Sequence, residues 1–308
     1  MKTTLLLLTA IICFPVFAQK NLAEKLGYPK NAKLLVVHAD DLGVAHSVNE
    51  ASFSAFEKRG ISSASIMVPC PWFPEVAAYA SKHPEFDWGI HSTFTAEWKN
   101  YYWDGVLSST NISSMLNSKG AFYPSVEAFG AKADPAQVEM ELRAQVQKAI
   151  DFGIPISHLD NHMGSLLFNP SLVPIYFKVA KEFKLATLAP RMLTTMLPAP
   201  VMASIDTSFV VFTDNIVMAE DSTHPETWKS FYDNAVKKLV PGLNEIIVHL
   251  AYDNNEMQAV SIDHPDFGAA WRQRDYNYVT SDAFKKILKE QGIHLITWKQ
   301  VQQVLYAK

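Results

Sequence analysis

The chain has 308 residues, 48% of them hydrophobic and 19% charged, with a formal net charge of −4. That is enough sequence for one large domain or two small ones with a sizeable core, and the hydrophobic content argues against a largely disordered chain. With no basic excess to hold a phosphate backbone, nucleic acid is excluded as a natural partner.

The first twenty residues, MKTTLLLLTAIICFPVFAQK, read as a secretory leader. Lys2 supplies the positive start, Leu5 to Cys13 the apolar run, and Val16-Phe17-Ala18 a small-residue cleavage site before Gln19. The run is too short for a membrane span, which needs roughly 20 residues, and no later stretch qualifies. The expected mature chain, 19–308, is a single domain, secreted or periplasmic, without a membrane span. Cys13 leaves with the leader, so Cys70 has no partner for an internal disulfide. In MVPCPW it reads as a small packed residue.

Beyond the leader, strand-like and helical segments alternate. The first strand, KLLVVH (33–38), runs into ADDLG and precedes a helix over 49–60 that Gly60 stops. SASIMVP (63–69) and DWGIHSTF (87–94) read as the next two strands. Residues 95–130 are poor in helical pattern and carry Trp98, Tyr101, Tyr102, Trp103 and Tyr123, which reads as a lid or substrate wall. A helix over 134–153 follows, with Asp134 as its N-cap, Pro135 in the first position and Gly153 past its end. Then come ISHLDNH (156–162), a helix over 169–183 with Pro174 in its first turn, KLATLAP (184–190), SFVVF (208–212), a helix over 224–239, NEIIVHLA (244–251), a helix over 280–292 and GIHLITW (292–298). Several strand candidates are continuous apolar runs, as in strands covered on both faces. About eight strands alternating with helices predict an α/β domain with a mostly parallel sheet, and a barrel, complete or distorted.

In such a barrel reactive groups collect where strands end. The first strand ends in His38, Asp40 and Asp41, the third carries His91, the fourth His158, Asp160 and His162, and the seventh His249; five of the ten histidines are in this set. Buried without partners, each such group would cost about 1–3 kcal/mol; a shared cation removes that difficulty. One carboxylate and two imidazoles without a thiolate would make an open site. Zinc suits it best, iron, cobalt, manganese or nickel could occupy it, and magnesium is chemically less natural.

Neighbouring strand residues point to opposite faces, so Asp40 and Asp41 reach one site only if the chain bends toward Gly43. One would then bind the ion and the other act as a base; either could instead be a cap or turn residue before the helix. Residues 158, 160 and 162 share one strand face, with one histidine expected on the metal and the others behind it or against substrate. No Gly-x-Ser-x-Gly elbow offers a serine nucleophile.

Taken in order, HADDLG, GIHSTFT and SHLDNHMG resemble the YdjC-like carbohydrate deacetylase family, which includes enzymes similar to diacetylchitobiose deacetylases. The resemblance continues through WRQRDY and GIHLITWKQV and covers nearly the whole mature chain. It implies a distorted (β/α) barrel and a divalent-metal hydrolase that removes acetyl groups from amino sugars, so that an acetylated carbohydrate is the expected partner. It implies Asp41, His91 and His162 as metal ligands, Asp40 as general base and His249 as general acid. His38, His158 and Asp160 are then orienting or substrate-binding residues, and Arg191 is a candidate to orient Asp40. The Tyr and Trp side chains of 98–123 would stack on sugar rings or pack their segment down. After HLDNH the chain departs from the family pattern: Met163-Gly164-Ser165 stand where many relatives carry further histidines, which alters the substrate side. Competing readings are a hydrolase of another ester or amide, such as an O-acetylated glycan or peptidoglycan fragment, a two-carboxylate glycosidase, and a non-catalytic periplasmic sugar-binding protein.

Overall fold

The computed structural model describes residues 21–307; the leader expected over 1–18 lies outside them. Eight strands alternate with helices: β1 (Lys33–Leu42), β2 (Ser63–Ile66), β3 (Trp88–Ser92), β4 (Ile156–Asn161), β5 (Ala186–Thr187), β6 (Asn215–Val217), β7 (Gly242–His249) and β8 (His294–Leu295). Every pairing is parallel, in the order β5-β4-β3-β2-β1-β7-β6, with β8 added to β1. The two ends of that order meet beyond their strands. Thr213 N donates to Ala189 O at 2.9 Å and Arg191 N to Thr213 O at 3.0 Å. The sheet therefore curls into the expected distorted (β/α) barrel.

β1 is the central element. One edge pairs with β7 from Lys33 to Asp40. On the other edge, Leu34 and Leu35 pair with β8, and His38, Ala39 and Leu42 with β2. Leu34, Leu35, Val36, Val37 and Ala39 are fully buried, which is why this run shows no alternation. Each of the larger four contributes roughly 1.5–3 kcal/mol of burial before chain entropy is set against it.

The expected helices form. Pro135–Asp151 starts where Asp134 accepts from Ala136 N and Gln137 N, and it stops before Gly153 at φ 79°. His46–Glu57, Val173–Glu182, Trp228–Lys237 and Asp282–Glu290 lie within or beside their predicted segments. Cys70 is buried and unpaired.

One expectation fails and a second holds only in part. SFVVF is not a strand: Asp206 accepts from Ser208 N and turns Thr207–Phe209 into a 3-10 helix, and the ladder strand is β6, three residues further on. The 95–130 segment is not a lid. Trp98 and Trp103 are buried, Trp103 Nε1 donates to Thr95 O at 2.9 Å, and the Tyr101 hydroxyl donates to Val44 O at 2.7 Å. Trp98, Tyr101 and Trp103 pack it down, Tyr102 stays exposed, and Glu97 of the same segment does form part of a cavity wall. Among the described residues no helix is long and apolar enough to cross a membrane.

Candidate metal centre

The sheet register pairs the polar residues at the strand ends. Asp40 of β1 lies opposite His249 of β7, and His91 of β3 opposite Asp160 of β4. Asp40 and Asp41 face one site because β1 slips register between Ala39 and Leu42, and Asp41 itself takes a left-handed conformation at φ 69°. The bend thus falls on Asp41, ahead of Gly43 at φ 93°. Neither aspartate caps the next helix, whose N-cap is Ala45.

Three donor atoms converge. Asp41 Oδ1 is 3.3 Å from His91 Nε2 and 3.4 Å from His162 Nδ1, and the two nitrogens are 3.3 Å apart. Asp41 Oδ1 is buried and has no hydrogen-bond partner. Donors about 2.0–2.1 Å from one ion in tetrahedral array stand ~3.3–3.4 Å apart, so the triangle fits a divalent cation.

The other atom of each donor side chain is held. Asp160 Oδ1 accepts from His91 Nδ1 at 2.8 Å, Glu97 Oε2 from His162 Nε2 at 3.0 Å, and Asp41 Oδ2 from Arg272 Nη2 at 2.6 Å. Partners of this kind fix tautomer and orientation.

Asp40 stands beside the triangle. His38 Nε2 reaches Asp40 Oδ1 at 3.2 Å and Asp160 Oδ2 at 2.9 Å, while the Ser65 hydroxyl lies 3.4 Å from Asp40 Oδ1. Asp40 Oδ2 is 3.9 Å from both His91 Nε2 and His249 Nε2.

Burial disfavours charge on all these side chains. On His38, Asp160 and Asp40 overcome it and push the imidazole up to about 10. Glu97 and Asp41 overcome it on His162, which rises to about 9. His91 is raised well above the ordinary histidine value, against burial, chiefly by Asp160 and Asp40. Asp41 is held well below the usual carboxylate range because Arg272 and the two histidines outweigh burial. On His249 burial prevails and lowers the imidazole to about 4. The triangle is therefore a place where positive charge, proton or metal, is strongly favoured.

A family model described as "YdjC-like protein" matches residues 34–290. The chain belongs to the YdjC-like family. It is similar to the carbohydrate deacetylase of Thermus thermophilus, 30% identical over 289 residues, covering 93% of this chain and 100% of that protein. It is also similar to the carbohydrate deacetylase of Brevibacillus brevis, 25% identical over 267 residues, covering 87% and 99%. A solved structure from Enterococcus faecalis V583, described in terms of cellobiose-phosphate cleavage, shares the fold. Its TM-score is 0.73 at 22% identity, covering 88% of this chain and 99% of that one.

In this YdjC-like chain Asp40, Asp41, His91, Asp160, His162 and His249 all line one cavity of about 470 Å³. His38 and His158 are fully buried below it. His158 does not line that cavity. Its Nδ1 lies 2.8 Å from the Ser157 hydroxyl, its ring packs edge-on to His38, and burial holds it well below the ordinary value. Gly89 makes room for it: a Cβ there would fall 2.2 Å from His158 Nε2.

Arg191 is a correction. It pairs with Asp214 at 2.6 Å and lines a separate groove beside the start of β7. The partner of Asp40 is His38.

Sequence reasoning missed Arg272, Glu97 and Asp275. The first and third sit on the helix Ala269–Val279, where Asp275 accepts from Trp228 Nε1, the Tyr232 hydroxyl and His249 N. WRQRDY entered only through resemblance, and nothing in spacing or composition marked Glu97.

Proposed function

We propose that the chain is a metal-dependent amide hydrolase that removes acetyl groups from N-acetylated amino sugars or oligosaccharides. The observation that carries the reading is the triangle of Asp41 Oδ1, His91 Nε2 and His162 Nδ1 with Asp40 beside it. The names of the curated relatives support the substrate class. A divalent cation held there by Asp41, His91 and His162 would acidify a bound water and polarise the acyl carbonyl, and the donor types and spacing favour zinc over magnesium.

The remaining steps belong to this chain's own residues. His38 and Ser65 hold Asp40 Oδ1, which leaves Oδ2 directed at the cavity as the base that takes the proton of the attacking water. The water oxygen bonds to the carbonyl carbon, the carbon–nitrogen bond breaks, and the amine leaves with a proton. His249 is neutral at rest, so its proton must first arrive. Asp40 Oδ2, 3.9 Å from His249 Nε2, is the nearest source. We read residues 1–18 as a leader that exports the protein.

The test is acetate release from a panel of N-acetylated oligosaccharides, with chelator and with metal restored. Release that chelation stops and metal restores supports the reading. Release from O-acetylated compounds alone moves it to an esterase. Sugar binding with no release from any compound, by metal-loaded protein, makes it a binder.

A further inference from the structure

The cavity beside the metal triangle is apolar. Apart from the charged centre, it is walled mainly by Met163, Leu167, Phe168, Met218, Ile247 and Phe267. The walls offer only two further polar side chains, each half committed: Asn161 Oδ1 accepts from Leu166 N and His264 Nδ1 is bonded to Asp266 O, which leaves Asn161 Nδ2 and His264 Nε2. A buried sugar hydroxyl would find few partners there, and each one left unpaired costs about 1–3 kcal/mol.

The apolar character continues to the mouth. Phe168 is 61% exposed, Met163 44% and Met218 36%. Large exposed apolar side chains grouped at a cavity mark a binding surface.

Two of them are placed by special backbone. Met163 adopts φ 54°, a conformation that costs a side chain of its kind, and its sulfur accepts from the Thr95 hydroxyl at 3.3 Å. Gly164, at φ 69°, lies under the Phe168 ring, where a Cβ would fall 2.3 Å from Cε2.

We propose that this cavity receives the aliphatic chain of an N-acyl amino sugar whose acyl group is longer than acetyl. This rests on the amide-hydrolase reading and deepens it. The scissile carbonyl sits at the Asp41–His91–His162 triangle, and the hydrocarbon runs from it past Leu167, Ile247 and Phe267 to Phe168 and Met218 at the rim. The reaction is unchanged: water adds to the carbonyl carbon, the carbon–nitrogen bond breaks, and a fatty carboxylate and a free amine leave.

The experiment uses the zinc-loaded protein and N-acyl glucosamines with acyl chains of two, four, eight and twelve carbons, reading released amine. kcat/KM is expected to rise at least tenfold from two to eight carbons, about 1.4 kcal/mol, the worth of about two buried methylenes. Phe168→Ser and Met218→Ser, both on the exposed rim, are expected to flatten that rise without loss of fold by circular dichroism. A flat or falling dependence with good turnover of the acetyl compound overturns the acyl-chain subsite and leaves the deacetylase reading standing. No amine from any chain length overturns the hydrolase reading and the subsite with it.

Discussion

Arg272 donates from Nη2 to Asp41 Oδ2 at 2.6 Å, and both side chains are buried. The guanidinium holds one carboxylate oxygen so that the other, Oδ1, faces the two imidazoles. Replacing it with Met leaves a buried carboxylate without its counter-charge, a loss of about 3–5 kcal/mol. A metal would supply the missing positive charge. Thermal melts of Arg272→Met are therefore expected to show a lowered Tm that zinc restores in large part. An unchanged Tm without metal would remove Arg272 from this role.

Asp40 and Asp41 should separate cleanly. Asp41→Ala, His91→Ala and His162→Ala are expected to lose bound metal, read by elemental analysis after dialysis. Asp40→Asn is expected to keep the metal and lose turnover by a factor of roughly 10²–10⁴. Full activity in Asp40→Asn would place the base elsewhere.

The carboxylates behind the histidines act on affinity. Glu97→Gln and Asp160→Asn each weaken the acceptor that fixes a ligating imidazole. Each should lower zinc affinity by about 10–100-fold, measured by competition with a chromophoric chelator.

Proton and metal compete for His162, while His38 keeps its proton between Asp40 and Asp160. His38 and His162 stand at about 10 and about 9 in the fold, above the ordinary histidine value of 6.5. Their stabilisation is fully present below pH 6.5 and is lost as the pH rises through 9 and then 10. The metal-free protein should therefore melt at progressively lower temperature between pH 6.5 and 10. Over the same window zinc affinity should rise, with protons released on binding. Calorimetry in buffers of different ionisation enthalpy reads that release directly; zero release would show that the imidazoles are already unprotonated.

Arg191 offers a contrast. It bonds Asp214 at the surface, and such pairs contribute about 0–1 kcal/mol. Arg191→Ala should leave kcat/KM within twofold of the parent and barely move Tm.

What could be read from the sequence depended on how each residue is held. β1 to β4 and β7 were legible because apolar runs covered on both faces end in side chains that make no sense in a core. The candidate donors followed, since His91, His162 and the aspartate pair sit at those ends, but which of them would bind the ion came only from the family resemblance. β6 was not legible because three residues carry no period, and SFVVF, nearby and more apolar, drew the assignment. Arg272 and Asp275 were hidden for another reason. Their helix buries Trp271, Arg272, Asp275, Tyr276 and Tyr278 and leaves only Ala270, Gln273, Arg274 and Asn277 outside, so charged and polar residues lie on both faces and the inward charges do not stand out in the sequence. Glu97 belongs to an irregular segment, where only the three-dimensional path of the chain brings it to His162.

The pairing of β1 also has a consequence for how the molecule comes into being. Its two edges are completed by β7 and β8, made of residues 242–249 and 294–295, more than two hundred positions later in the chain. A growing polypeptide that has just produced β1 holds a strongly apolar strand with one edge open until nearly all of the barrel has been synthesised. Such late pairing slows folding and leaves the strand exposed to wrong partners. Fragments ending before residue 242 should accordingly aggregate rather than fold, and β1 is the segment on which a chaperone would act.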